Sequence, residues 1–366
     1  MGNPSDFESW KAALLQLVDD LRTQTTRALL AARDSADAAR QLARPVGPRA
    51  SEAGDLTFGL DVPSEAFLDR WLLQTARERP LSLLTEDRGW RHRGPDPERA
   101  GESIELPGFE HGGPRIAIDP VDGTRNLMVG LRSAWSVLSF APAGTGMPRL
   151  SDLSAGIVSE LPTLRAALQS TYVADSGGCL LEERELSSGA LLSQELQRVD
   201  DDERVDHGYF PFFRFEPGMR PYLARLEAEF CRRLETHEGA DPETIYDDQY
   251  ISNAGQLTLL MQGTYRLIVD ARALAASHLG APTTTSKPYD VAGAIFCARA
   301  AGAEISAADG GELDFPIDNQ TPVHMAGYVN RGTRKRLEPH LLGAQESWVR
   351  WLREAARRPG PEGRMP

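Results

Sequence analysis

Residues 116–124 read Ile-Ala-Ile-Asp-Pro-Val-Asp-Gly-Thr. Two carboxylates, Asp119 and Asp122, are followed at once by a glycine, Gly123, and a hydroxyl, Thr124. Carboxylates this close are not ionised side by side without a counter-charge. Hard divalent cations supply one, and carboxylate oxygens are the ligands magnesium prefers. Gly123 and Thr124 offer backbone N–H groups where the next element could start, which suits a phosphate group. The apolar run 116–118 reads as a short buried strand bounded by turn signals. Asp119 then sits at a strand's carboxyl end, where open α/β sheets place their ligands.

Other acids stand at the ends of predicted elements. Asp61 precedes a helix predicted over 63–79, with Pro63 near its first position and Ala66, Phe67, Leu68, Trp71, Leu72 and Ala76 as its apolar side. Glu86 and Asp87 follow a short strand at 81–84. Asp290 opens a helix over 290–301, capped by Asp290 itself and closed by Gly302. Taken singly, Asp61 and Asp290 read as helix caps. Taken with Asp119 and Asp122, they read as one ligand set.

The rest of the chain must bring these acids together. Residues 7–41 show helical spacing of Trp10, Leu14, Leu15, Val18, Leu21, Leu29 and Leu30, as one helix or two. A breaker-rich linker spans 45–54. Strands are predicted at 134–141, 155–158, 169–174, 178–181 and 304–306. Residues 88–114 and 271–288 read as insertions, the first exposed, and 182–206 as polar chain. The aromatic cluster 209–213 reads as core or interface. Residues 221–234 are helical, and Gly263 separates the apolar segments 257–261 and 266–269. A glycine turn falls at Gly310-Gly311. A last amphipathic helix is predicted at 346–357, with a disordered tail after it.

A hydrophobic content of 41% with 25% charged residues predicts a packed globular protein. No apolar run approaches the roughly 18 residues needed to span a bilayer. The start of the chain lacks the basic and apolar regions of a signal peptide, and Gly2 is a poor myristoylation signal beside Pro4 and Asp6. The three scattered cysteines, Cys179, Cys231 and Cys297, form neither a disulfide framework nor a zinc pair. Cys297 reads as a buried thiol. A cytoplasmic location is expected. A net charge of −13 argues against a general nucleic-acid binder. The histidines show no paired metal spacing, and Ser136 and Ser139 have no His–Asp partners nearby.

The ordered set Asp61, Glu86-Asp87, Asp119-Pro120-Val121-Asp122-Gly123-Thr124 and Tyr289-Asp290-Val291-Ala292-Gly293-Ala294 resembles the inositol monophosphatase family, within the lithium-sensitive, magnesium-dependent phosphatase superfamily. Ala301-Gly302-Ala303-Glu304-Ile305 stands where that family has Ala-Gly-Gly and a strand. The resemblance covers roughly residues 55–330. Asp87 stands for the family's second glutamate, Tyr289 for a tryptophan and Leu127 for a phenylalanine, while 182–255 match poorly.

The resemblance implies a two-domain α/β (α+β layered) sandwich of alternating helix and sheet layers, of the inositol monophosphatase/fructose-1,6-bisphosphatase type. Its parts would be an N-terminal helical segment and linker (1–54), a metal-binding half (55–175), a half supplying Asp290 (176–335) and a C-terminal helix and tail (336–366). The boundary would fall near 165–185, with the active site between the halves. It further implies two or three Mg²⁺ ions. Glu86, Asp119 and the carbonyl of Val121 would hold one; Asp119, Asp122 and Asp290 a second, Asp119 bridging; a third would sit near Glu86. Thr124, hydrogen-bonded to Asp61, would orient a water on the metal together with Glu86. The amides of Gly123 and Thr124, with Asp122, would meet the phosphate, and Asp270 a substrate hydroxyl. The expected activity is hydrolysis of a small polyol, sugar or nucleotide phosphate. Sugar bisphosphatase and 3′-phosphoadenosine nucleotidase are the rival enzymes, and a non-catalytic interaction module the rival from another class. A small phosphorylated metabolite is the expected partner, with no nucleic acid or membrane, and a homodimer is possible.

Overall fold

The computed structural model describes residues 6–46, 57–281 and 283–356. Gly2, most of the 45–54 linker and the end of the chain lie outside the described residues. The N-terminal helical region is two helices, α1 (Phe7–Asp34) and α2 (Ala36–Leu42). They break at Ser35, whose hydroxyl accepts from the Ala38 N–H and caps the second. Helix α3 (Val62–Thr75) ends four residues earlier than its pattern suggests.

Nine strands then build one sheet. They are β1 (Leu81–Leu84), β2 (Arg91–Pro95), β3 (Ser103–Glu105), β4 (Arg115–Asp122), β5 (Ala134–Ala141), β6 (Ala155–Leu161), β7 (Leu168–Asp175), β8 (Gly178–Glu185) and β9 (Leu191–Gln197), with the short helix α4 (Thr124–Met128) between β4 and β5. Their order is β3-β2-β1-β4-β5-β6-β7-β8-β9. All neighbours are antiparallel except β1 and β4. Residues 165–185 thus lie inside a sheet that continues to Gln197.

Two expectations are corrected here. Residues 88–114 are not an exposed insertion, because β2 and β3 extend the sheet as a hairpin on β1. The polar stretch 182–206 contains β9. Edge strands need bury only one face or none, so their sequences carry charges and glycines that read as loop.

The second part of the chain supplies α5 (Arg220–Glu238), α6 (Asn253–Met261), β10 (Leu267–Asp270), α7 (Arg272–Leu279), α8 (Pro288–Ala301), β11 (Glu304–Ser306), β12 (Met325–Tyr328) and α9 (Arg331–Ala356). β10, β12 and β11 form a small antiparallel sheet. The last helix is longer than 346–357 and carries Pro339 inside it.

Period-two alternation builds the layers. In β4, Ile116 and Ile118 pack with Trp10, Leu14 and Leu68 of α1 and α3, while Ala117 faces the core shared with α6 and α8. In β10, Ile268 faces that same core, whereas Leu267 and Val269 join Phe210, Phe212 and the helices α5 and α9. The order is therefore helix, sheet, helix, sheet, helix, the alternating sandwich expected. Of the 209–213 aromatics, Phe210, Phe212 and Phe213 are buried, while Tyr209 is exposed. Cys297 is buried as well, and burial pushes its thiol pKa up.

Helix α8 approaches the large sheet unusually closely. A Cβ on Gly293 would meet the Leu138 carbonyl oxygen at 2.3 Å, and one on Gly156 would meet the Gly293 oxygen at 2.6 Å. Only glycine at both positions lets the helix backbone rest on the strands. Asp290, one turn earlier, is thereby set at a fixed height above β4 and β5. Gly293→Ala should cost about 1–3 kcal/mol by overpacking, read as a lower urea midpoint with helical content retained. An unchanged midpoint would mean that α8 can lift without loss.

Candidate active site

Alternation along β4 would send Asp119 and Asp122 to opposite faces, because they are an odd number of residues apart. The pairing with β5 prevents this. Asp119 pairs with Val137 and Asp122 with Trp135, so three steps on one strand match two on the other. This one-residue bulge falls across Pro120 and Val121, and Pro120 has no N–H to lose. Its carbonyl accepts from Ser136 Oγ at 2.8 Å. Both carboxylates consequently line one cleft.

Asp119, Val121, Asp122, Gly123, Thr124, Asp61, Glu86 and Asp290 all line that cleft, which holds about 660 Å³ of space open to solvent. Four separate segments deliver them: the loop before α3, the turn after β1, the β4 bulge and the first turn of α8. Asp119 Oδ1 accepts from the Val121 N–H at 2.9 Å. Asp122 Oδ2 accepts from Ser252 Oγ at 2.8 Å and from the Ala254 N–H at 2.7 Å, at the start of α6. Gly123 adopts φ 102°, and a Cβ there would meet Ser252 Cβ at 3.0 Å. The position thus needs glycine for its backbone angle and for space.

Thr124 Oγ1 lies 2.8 Å from Asp61 Oδ1 and 2.9 Å from the Val121 carbonyl oxygen, and donates its single proton to them. Asp61 Oδ2 accepts from the Phe58 N–H at 2.8 Å. Asp61 makes no side-chain cap to α3; it is committed to Thr124. Asp290 differs from expectation too. It is the third residue of α8, not its cap, and both its oxygens lie 3.1 Å from the Lys287 N–H.

Asp270 is not brought into the cleft. Its carboxylate is buried and gripped by Arg272, with Nη2–Oδ2 at 2.7 Å and Nε–Oδ1 at 2.9 Å, and by Ser286 Oγ at 2.7 Å. It is held below the usual carboxylate range by Arg272 and Ser286, which together outweigh the opposing effect of burial. The residue that does line the cleft is Arg272, only 2% exposed, with its guanidinium 4.1 Å from the Phe213 ring centroid. So 271–288 is no detached insertion: α7 begins there, and Thr284 and Thr285 form cleft wall. Sequence reading missed Arg272, Ser252 and Asn253. The signal available was an arginine two residues past a strand-end aspartate, and a serine cap before the small residues of α6.

The electrostatics fit a cation. Burial first, then the charges of Asp122, Glu86 and Asp290, hold Asp119 well above the ordinary carboxylate range. Burial raises Asp122 against its bonds from α6, and lifts Asp61 to about 6. The donors are all hard oxygens, the set that Mg²⁺ takes. Among the described residues no three His, Cys, Asp or Glu side chains already surround a single point. The fit is therefore one of donor chemistry and charge rather than of a finished coordination shell.

Solved structures with the same fold carry phosphatase names. One is a holo fructose-1,6-bisphosphatase from Leishmania major (13% identity, TM-score 0.62, 94% of this chain and 96% of that one). Another is a Pyrococcus horikoshii protein described as similar to inositol-1 monophosphatase (13% identity, TM-score 0.58, 93% and 99%). A third is inositol monophosphatase II from Staphylococcus aureus (14% identity, TM-score 0.56, 96% and 100%). The sequence itself matches no family model and no curated protein. Among the described residues, no helix is long and apolar enough to cross a membrane.

The raised carboxylates set a pH dependence. A carboxyl whose pKa is higher folded than unfolded stabilises the fold while protonated, and that contribution is lost as pH rises. For Asp61 the window runs from 3.8 to about 6, a loss of about 3 kcal/mol. The EDTA-treated protein should therefore melt lower at pH 8 than near pH 4.5, and millimolar Mg²⁺ should restore most of the difference at pH 8. Melting that is independent of both pH and Mg²⁺ would contradict the cleft charges described.

Proposed function

We propose that this chain is a metal-dependent phosphomonoesterase of the inositol monophosphatase superfamily, acting on a small phosphorylated metabolite. The observation that carries the reading is the Thr124–Asp61 hydrogen bond at the edge of a cleft where Asp119, Asp122, Asp290 and Glu86 converge. The likeness of fold supports it.

Glu86, Asp119, Asp122, Asp290 and the Val121 carbonyl would hold Mg²⁺, which supplies charge neutralisation at the phosphoryl oxygens and acidifies water. The chain's own residues do the rest. Thr124 has given its proton to Asp61 and Val121, so its oxygen meets a water with lone pairs only and orients the attack. Asp61, titrating near neutrality, is placed to receive a proton through Thr124. Glu86 faces the same cleft as the second acceptor. The Gly123 and Thr124 amides, at the unspent start of α4, would hold the phosphoryl oxygens. No covalent phosphoenzyme is needed.

Purified protein should release phosphate from members of a phosphometabolite panel with Mg²⁺ and not with EDTA. Asp119→Asn should abolish that release. Thr124→Ala should lower kcat by about 10²–10⁴-fold, on the scale of losing a positioned general acid–base group, with little change in KM. Full Mg²⁺-dependent turnover by Asp119→Asn would sink the metal assignment.

A further inference from the structure

The same cleft carries a second set of side chains whose donors outnumber their acceptors. Arg272 has five N–H groups. Nε meets Asp270, Nη2 meets Asp270 and Ser286, and Nη1 meets the Thr284 carbonyl, which leaves one Nη1–H unspent among the described residues. The Asn253 Oδ1 accepts from Ser286 Oγ at 2.9 Å, while its amide N–H groups donate to nothing among the described residues. Thr285 is 6% exposed, and its Oγ1 has no partner there at all. Arg125, exposed beside Thr124, makes no close ion pair among the described residues, although its charge reaches Asp61, and it lies over the Phe58 ring at 5.4 Å. All four residues line the cleft.

A polyol leaving group would look for an acceptor here. The carboxylate that could have served, Asp270, is closed off by Arg272 and Ser286. What remains toward the cleft is two guanidinium groups, an amide N–H₂ and a buried hydroxyl. Stacking on Phe213 and the Asp270 pair fix Arg272, so it cannot turn away to solvent. Fixed, partly desolvated donors of this kind recognise oxyanions.

Resting on the phosphatase reading above, we infer that the leaving group carries a second oxyanion, phosphate or carboxylate. Arg125 and the unspent donors of Arg272, Asn253 and Thr285 receive it. The cleft then balances two charge systems: carboxylates toward the group that is cleaved, and guanidinium groups toward the part that leaves.

Three phosphate esters of similar size test this. Glycerol 3-phosphate has a CH₂OH where 3-phosphoglycerate has a carboxylate, and 2,3-bisphosphoglycerate adds a second phosphate. Wild-type protein should favour one or both of the latter by about tenfold or more in kcat/KM; which of the two wins identifies the anion. Arg125→Ala should shrink that preference at least fivefold, chiefly through KM, and Arg125→Lys should restore part of it. Equal use of the three esters would overturn the subsite. So would an equal proportional loss on all three in Arg125→Ala, which would put Arg125 on the phosphoryl group that is cleaved. Calorimetric titration with the same compounds separates the two readings. Tighter binding of the doubly anionic compounds without hydrolysis keeps the subsite and sinks the phosphatase reading; hydrolysis with no binding preference does the reverse.

Discussion

The extra residue between Asp119 and Asp122 is the constraint on which the rest of the cleft depends. A regular strand cannot direct two carboxylates three positions apart to one side, and the bulge does so at the cost of one ladder interaction. Having turned Asp119 and Asp122 together, it creates a buried like-charge pair that the surrounding structure has to accommodate. The start of α6 answers with the Ser252 hydroxyl and the Ala254 N–H on Asp122. The Val121 N–H answers on Asp119. Gly123 then reverses the chain at positive φ, so that Thr124 arrives beside Asp61. Each of these contacts follows from the position of the bulge.

Much of this was legible in the chain. Asp-Pro-Val-Asp-Gly-Thr is informative by itself, because the acids, the proline and the glycine each have a physical reason to be there. The central strands β4 to β6 were legible from their largely apolar character, since strands covered on both faces need it. The polar strands at the two ends of the sheet, β3 with its neighbour β2, and β9, were not, because nothing in a half-exposed sequence says which neighbour it pairs with. Arg272 escaped notice for a related reason. Its meaning depends on Asp270, Ser286 and Phe213 closing around it, and only the folded chain puts 213 beside 272. Asp290 was recognised as important but placed one turn too early in its helix, as a cap, because a carboxylate at the third position also meets the backbone N–H at the helix start.

The charge pattern explains how so acidic a chain keeps a defined pocket. Many of the surface acids are paired with arginine, as in the bidentate Arg132–Asp248 contact at 2.6 and 2.7 Å. The Asp270–Arg272 pair is the buried version of this arrangement. Among the described residues, the charges that act most on Asp119 are further carboxylates, those of Asp122, Glu86 and Asp290. The protein therefore keeps unneutralised negative charge in one place while compensating it elsewhere, which is the arrangement a cation-dependent site requires.

The spread of the cleft along the chain governs when it comes into being. Asp61 and Asp290 lie on opposite sides of the nine-stranded sheet's entire sequence. A nascent chain can complete β1 through β9, with its bulge and its first two helices, long before α8 has been made. During that interval Asp119 and Asp122 sit beside water and are hydrated rather than confined. The arrival of α6 at Asp122 and the docking of α8 through Gly156 and Gly293 seal them in. The tight glycine seat is thus a late step of assembly, a contact of very long sequence separation. It leaves the most repulsive part of the molecule open until the framework that must contain it is already standing.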